Sequence, residues 1–498
     1  MDSAGTAPSS LSPRWQRGGV LLAVLALGLY AWLLVAHVGA YAAGADSSGY
    51  LSQARLLAHG EVRIPARVLP GLAKGVGSEF LFAPLGFNPV DGGKELVASY
   101  PVGLPLLIAA MAQVTGWDHA AACVLVVHSL AGVWLMLALG RTLGLAIGWA
   151  ALGAVILAVN PVYFLHSQVT MSDLPATTWV MLAVWLAWRS REQSAWALGA
   201  GAAMAVAVLI RPNNALALLP LAIALGFAPR RWLLLAIAGL PGAVFFCLHN
   251  RAAFGAALTT GYGSVGGMFE WRWVGPTLLH YLCWFPLLFT PLVLLTPTLG
   301  WTLRREPAKA LVLCTWALAY LAFYSAYVCT HETWWYLRFV LPAAPALVLG
   351  GLLVMQAWTQ RWTGTRWGGV ILAVAMVAVV ANGAAWNRYL HTLSAGQGER
   401  AYDTAAKWMR AELPADAVIL GMQVSGCLMY HTDLTVVRWD QIDDAAAGKQ
   451  VLAAAGNRPV YAALFPFETD EVLKLRFPGR WAQVAEFPPI VIWRRDGD

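Results

Sequence analysis

The sequence predicts an α-helical polytopic membrane protein of about eleven spanning helices that ends in a small soluble α/β domain. Three observations predict it. Of the 498 residues, 59% are hydrophobic and only 12% are charged, roughly half the charge of an ordinary soluble domain. Apolar runs near 20 residues long, the length that crosses a bilayer, recur between residues 20 and 386. Past residue 387 the pattern stops, and short helical and β-rich runs alternate instead.

The remaining composition agrees. The 25 Trp and 47 Gly suit membrane helices, where Trp sits at interfaces and Gly is tolerated. A net charge of +7 is no nucleic-acid footprint, because Lys and Arg fall in short loops between apolar runs, where they report topology. The six cysteines show no metal-ligand spacing. Most lie in or beside apolar segments, where a free Cys packs as a small hydrophobe.

The spans are expected near 20–40, 119–139, 143–160, 170–188, 195–210, 213–228, 232–249, 276–299, 310–328, 339–358 and 368–386. The first could be a signal peptide, but its apolar run exceeds a usual signal core, which favours a retained helix. The positive-inside rule then tests the count. Arg14 with Arg17, Arg141, Arg189 with Arg191, Arg230 with Arg231, Arg304 with Arg305 and Lys309, and Arg361 with Arg366 all fall on one side, the cytoplasmic one. That agreement requires the apolar stretch Pro101–Val114 not to span. The N-terminus is then inside and the C-terminus outside.

Two regions stand out on the outer side. The loop over 41–118 is long, with an amphipathic helical candidate from Gly49 to His59, Pro/Gly-rich turns through Pro89 and then the interfacial stretch. Residues 387–498 hold helical patches such as Arg400–Glu412 between the runs "AVILGM", "LTVVRW", "RPVYAALF" and "IVIWRR". The chain thus divides into a membrane module, 1–386, and an extracytoplasmic α/β domain, 387–498.

Charged groups near a membrane core are expensive, so those that persist are functional candidates. Here they gather at the outer ends of the spans. Asp46 follows the first helix in "GADSSGY", and Asp173 opens the fourth in "HSQVTMSDLP". Arg211 and Asn213 lie in "LIRPNN", and His331, Glu332 and Arg338 in "CTHETWWYLRFVLP". Each has a plainer reading. Both aspartates suit helix starts, with Ser172–Asp173 ahead of Pro175 resembling an N-cap. Arg338 could snorkel to headgroups, and Trp334, Trp335 and Tyr336 could form an aromatic belt. What favours function is convergence on one side, beside the large loop.

These landmarks carry a resemblance. "YPVGLPLLIAAMAQVTG", "NPVYFLHSQVTMSDLP", "RPNNALALLP" and "LRFVLPAAPALVL", in that order after Asp46, resemble the GT-C glycosyltransferases. That superfamily includes protein O-mannosyltransferases and the aminoarabinose transferases of lipid A. "HNRAAFGAALTTGYG" and "YDTAAKWMRAELPADAVILG" are similar to its bacterial members, so the likeness covers nearly the whole chain. The resemblance implies transfer of a polyprenyl-phosphate-linked sugar at the outer face of a bacterial cytoplasmic membrane. The acceptor would be a lipid, glycan or protein, and no nucleic acid is involved. It implies Asp46 as the catalytic aspartate, Asp173 as a second acidic residue of the catalytic site, and Arg338 against the donor phosphate. Tyr50, Lys74, Arg211, His331, Glu332, Trp335 and Tyr336 are the further substrate-binding candidates. Asp46 is followed by Ser47–Ser48 and lacks the adjacent acid of the best-known members, which leaves open whether a divalent cation takes part.

The chemistry agrees with that expectation. Breaking a sugar–phosphate bond needs a base for the incoming hydroxyl, here Asp46, and cations for the leaving phosphate. The expected reaction is an inverting transfer. Two readings from other classes stand beside it: a transporter or flippase of lipid-linked or small substrates, and a non-catalytic scaffold in which both aspartates are caps. A transporter would more often show equal repeats and interrupted helices with polar midplanes, and this chain is asymmetric.

Overall fold

Long apolar runs satisfy their backbone groups internally by becoming helices, and in a bilayer no alternative is open to them except a closed barrel. The computed structural model describes residues 13–73, 75–362 and 365–497, and it is mainly helical. In order, the helices of the first half are α1 (Pro13–His37), α2 (Asp46–Ala58), α3 (Gly103–Thr115), α4 (Trp117–Leu143), α5 (Ile147–Val159), α6 (Pro161–His166), α7 (Asp173–Arg189) and α8 (Trp196–Ile210). They continue with α9 (Leu218–Leu225), α10 (Pro229–Phe254), α11 (Val274–Leu288), α12 (Leu299–Thr302), α13 (Pro307–Ser325), α14 (Ala344–Trp358) and α15 (Arg366–Tyr389). Among the described residues, five helical stretches are long and apolar enough to cross a membrane, or six counting one bent pair. The chain is a multi-pass membrane protein.

The two ends of the bundle differ in charge. Trp185 Nε1 donates to Thr142 Oγ1 at 3.0 Å, and Arg231 reaches the Arg191 carbonyl at 3.4 Å. Gln356 Nε2 donates to the Gly144 carbonyl at 3.0 Å. The turns holding Arg141, Arg191, Arg231 and Lys309 therefore gather at one end, while α7 runs from there back to Asp173 at the other. Gly144 closes α4 with φ of 103°, a left-handed conformation that favours glycine.

Two expectations change shape. The segment expected as one span over 276–299 is broken, with 119° between its arms. Thr290 is extended at φ −172° and Pro291 follows it, so the helical hydrogen-bond ladder ends there. The first arm begins beside His331, on which Trp273 stacks at 4.8 Å, and ends with the Leu288 carbonyl accepting from Asn160 Nδ2 at 3.0 Å. The second arm leads through α12 to Lys309 at the basic end. The other change is α2, which is not a surface amphipathic helix: Ser47–Ala54 are all buried. The stretch Pro101–Val114 forms α3, which starts against Ile210 and ends at the head of α4, so both its ends lie at the acidic end.

The 41–118 region also contains three strands that its Pro/Gly-rich turns did not suggest: β1 (Arg63–Pro65), β2 (Phe87–Val90) and β3 (Glu95–Ala98), in order β1-β3-β2, all antiparallel. After α15 come α16 (Ala395–Gly398), α17 (Arg400–Glu412), β4 (Val418–Leu420), α18 (Ser425–His431), β5 (Thr435–Val437) and α19 (Ala445–Ala455). The chain closes with β6 (Val460–Leu464), α20 (Pro466–Asp470), β7 (Arg480–Phe487) and β8 (Ile490–Gly497). The sheet order is β5-β4-β6-β8-β7, parallel among β5, β4 and β6 and antiparallel across β8 and β7. One apolar core joins Tyr50, Leu51 and Ala54 of α2 and Leu104 and Ile108 of α3 to Met409, Ile419, Leu428 and Ile492 of the C-terminal unit. The sheet unit is therefore packed onto the acidic end of the bundle.

Candidate active site

Four chain breaks bring the charged residues together. Gly44 turns at φ 51°, and α2 begins at Asp46. Arg211 is extended (φ −148°, ψ 113°) after α8, because Pro212 follows and disfavours helix before it. Ser172 precedes α7, and a 3₁₀ run over Trp334–Ala343 carries Arg338 ahead of α14. Neither helix start is capped by a side chain, so the plain capping account of Asp46 and Ser172 fails. Ser172 Oγ instead accepts from the Tyr50 hydroxyl at 2.9 Å.

Each aspartate has its own arginine. Arg338 Nη1 lies 3.1 Å from Asp46 Oδ2, with side chains 18% and 27% exposed. Arg211 Nη1 pairs closely with Asp173 Oδ1, where the carboxylate side chain is only 3% exposed. Phe339 separates the two cations, its ring centre 5.1 Å from the Arg338 guanidinium and 5.8 Å from that of Arg211. The buried Arg338 Nε has no hydrogen-bond partner. A guanidinium partly open to the cavity is suited to an anionic ligand.

These groups open onto one cavity of about 410 Å³. Asp46, Asp173, Arg211 and Arg338 give it a charged floor, and Val265, Met268, Phe269 and Phe323 an apolar wall. Tyr50, Tyr100 and Tyr262 line the floor side by side, with ring centres 4.6 Å apart in the first pair and 6.3 Å in the second. Burial first, then the charge of Asp46, holds the Tyr100 hydroxyl well above the usual tyrosine range, so it stays a hydrogen-bond donor. Tyr262 comes from the segment between α10 and α11. That segment is held by Asn88 Nδ2 donating to the Gly261 carbonyl at 2.5 Å and by Gly261 lying directly on the Ser99 carbonyl, where no side chain fits.

Of the residues expected from sequence, Asp46, Tyr50, Asp173, Arg211 and Arg338 line the cavity. Tyr336 stands behind it, 5.8 Å from the Arg338 guanidinium. His331 stacks on Trp273, and Trp335 is 43% exposed. Neither they nor Glu332 line the cavity, and Lys74 lies outside the described residues. Asn213, singled out beside Arg211 in the sequence, also lines the cavity and donates to the Tyr324 hydroxyl at 2.6 Å, whereas sequence reasoning missed Tyr100, Tyr262 and the Met268–Phe269 wall. Among the described residues no three His, Cys, Asp or Glu side chains form a metal-binding group, and both aspartates already face guanidinium groups. The residues present do not fit a bound cation.

No family model and no curated protein matches the chain. Solved structures do. The crystal structure of ArnT from Cupriavidus metallidurans bound to undecaprenyl phosphate shares 15% identity at a TM-score of 0.59, over 96% of this chain and 98% of that one. The arabinofuranosyltransferase AftD from Mycobacteria shares 12% at 0.55, over 99% of this chain and 40% of that one. The oligosaccharyltransferase AglB from Archaeoglobus fulgidus, in complex with an inhibitory peptide and a dolichol-phosphate, shares 11% at 0.51, over 88% and 69%. At such identities the likeness is one of fold, which this chain shares with these three solved proteins.

Proposed function

We propose that this chain, which has the GT-C fold, transfers a sugar from a polyprenyl-phosphate carrier to an acceptor, with inversion at the anomeric carbon. The observation that carries the reading is the Asp46–Arg338 pair, a partly exposed carboxylate against a partly exposed guanidinium, in a cavity with an aromatic and apolar wall. That ArnT is solved with undecaprenyl phosphate and AglB with dolichol-phosphate and a peptide supports the donor class. The acceptor is a lipid, glycan or protein.

In this reading the acceptor oxygen attacks the anomeric carbon from the face opposite the phosphate, and its proton passes to Asp46. The bond from that carbon to the phosphate oxygen breaks, and its electron pair leaves with the phosphate. One displacement inverts the centre. Arg338, with Arg211 behind Phe339, stabilises the charge that grows on the phosphate. Asp173 holds Arg211 in place. The three tyrosines are placed to contact sugar hydroxyls and ring faces, and the prenyl chain follows the apolar wall toward the bilayer. No step requires a metal.

The site then belongs on the extracytoplasmic face of a bacterial cytoplasmic membrane, with 1–386 as the membrane module and 387–498 as the outer domain. The basic turns at the opposite end support that orientation. The test uses the full chain in lipid nanodiscs, a panel of undecaprenyl-phosphate-linked sugars and a bacterial envelope fraction as acceptor, with undecaprenyl phosphate release followed by mass spectrometry. Sugar transfer coupled to that release is expected. Binding of the carriers with no turnover of any sugar would favour the non-catalytic reading instead.

A further inference from the structure

Beyond Asp46 and its arginine, one carboxyl group near the site has no evident task. Glu399 sits between α16 and α17, where the chain enters the C-terminal unit. The linker reaches that place by wedging against the membrane helices. Gly396 lies so close to the His37 carbonyl, the Gly39 amide and the Gln168 carbonyl that no side chain fits, and the Gly39 amide itself donates to the Gln168 carbonyl at 2.8 Å. This seats Glu399 under the first turn of α2. Its Oε1 is 3.5 Å from Ser47 Oγ, the neighbour of Asp46, and that hydroxyl is 3.3 Å from the Thr170 carbonyl. Glu399 Oε2 is buried and unpartnered.

The surroundings explain its state. Burial pushes the Glu399 carboxyl up to about 8, with the charge of Asp46 adding to the shift and Ser47 opposing it. The ionisable groups coupled to it are Asp46 on α2, Tyr402 on α17 and Cys427 on α18, none of them a cation. The carboxyl is therefore held toward its neutral form, with Oε1 facing a Ser47 hydroxyl that it shares with the Thr170 carbonyl. A buried carboxylate with no cation is costly. Because its value in the fold lies above that of an ordinary glutamate, the stabilisation is present at low pH and is lost as pH rises through about 8.

The rest of the C-terminal unit holds the same helix. Gly426 of α18 packs on Ser48. Arg55 donates to the Tyr430 carbonyl at 3.0 Å and lies 3.7 Å over that ring. Glu399 is the contact nearest the base. We infer that Glu399 is a positioning residue for Asp46: through the Ser47 hydroxyl it fixes the first turn of α2, so that the C-terminal unit sets where the base stands. Its effect on rate rests on the transferase reading.

The test compares wild type, Glu399→Ala and Glu399→Gln, as full chains in nanodiscs, from pH 6.5 to 9.5. Two quantities are read: kcat with KM for the lipid-linked sugar, and amide hydrogen exchange over 46–50 corrected for the intrinsic rate. Misplacing a reacting group by about 1 Å costs up to about a hundredfold, so Glu399→Ala is expected to lose roughly ten- to a hundredfold in kcat with KM unchanged. Glu399→Gln keeps the acceptor oxygen and cannot ionise. It should rescue that loss and abolish the alkaline fall in kcat and in exchange protection that wild type shows above about pH 8. An alkaline limb identical in wild type and Glu399→Gln, or wild-type kcat in Glu399→Ala, overturns the inference. The exchange arm needs no turnover. A chain inactive with every sugar but showing the predicted exchange pattern would sink the transferase reading and leave the contact standing.

Discussion

Arg338 Nη1 meets Asp46 Oδ2 at 3.1 Å, across 292 positions of sequence. Among the described residues a second ion pair faces the cavity, Arg211 with Asp173; its carboxylate is almost wholly buried, whereas the Asp46 side chain is 27% exposed. In the proposed mechanism Asp173, locked onto Arg211, holds that cation in place, and Arg338 turns from the partly exposed Asp46 toward the leaving phosphate.

Arg338→Lys keeps the charge and loses the planar fork that matches phosphate oxygens. Hydrogen bonds to charged groups contribute about 1.5–3 kcal/mol, so affinity for the lipid-linked donor should fall roughly ten- to a hundredfold. Expression should be unchanged. Titration of undecaprenyl phosphate into the nanodisc-embedded variant measures this, and an unaltered affinity removes Arg338 from the donor site.

Asp173→Asn predicts a different failure. It leaves Arg211 buried without its counter-charge, and breaking a buried pair from one side costs about 3–5 kcal/mol. The variant should unfold at lower temperature and give less protein, before any assay of transfer. Asp173→Asn as stable as wild type would mean that the pair does not hold the fold.

Topology follows from the basic turns. Cysteines introduced over 60–95 and beyond 400 should react with an impermeant maleimide applied from outside, and cysteines beside Arg230 and Arg304 should not. The six native thiols, all free, are replaced first. Labelling of the last 100 residues only after permeabilisation contradicts the orientation.

The long apolar helices α4, α10, α13 and α15 were legible because length and hydropathy decide them, whereas the expected spans over 143–160, 195–210 and 213–228 hold shorter helices. What hid was context. α2 reads as amphipathic, yet its small residues are buried: Gly426 of α18 packs on Ser48, and Tyr100 and Gly86 lie on Gly49. The strands β1 to β3 are only three or four residues long, and their pairing comes from contacts far apart in the chain. β7 alternates polar and apolar residues on a largely exposed edge and lacks the apolar run that marked β4, β5, β6 and β8. The break at Thr290–Pro291 was written in the sequence, but an apolar window averages over it. Within the site, Asp46, Asp173, Arg211 and Arg338 showed themselves as charges at helix ends. Tyr100, Tyr262 and Tyr324 did not, since tyrosine at an interface is ordinary. For Tyr262 the usable signal was its glycine-rich neighbourhood, where the backbone lies on Ser99.

Asp46→Asn tests the central claim most directly. The amide keeps the shape of the side chain and cannot take the acceptor proton. Because Asp46 makes no capping bond, the substitution should leave folding and yield intact. General base catalysis contributes about 10²–10⁴ in rate, so release of undecaprenyl phosphate coupled to sugar transfer should fall at least about a hundredfold in a well-expressed, correctly folded variant. An Asn variant retaining more than about a tenth of wild-type transfer falls short of even the lower figure and would contradict Asp46 as the base.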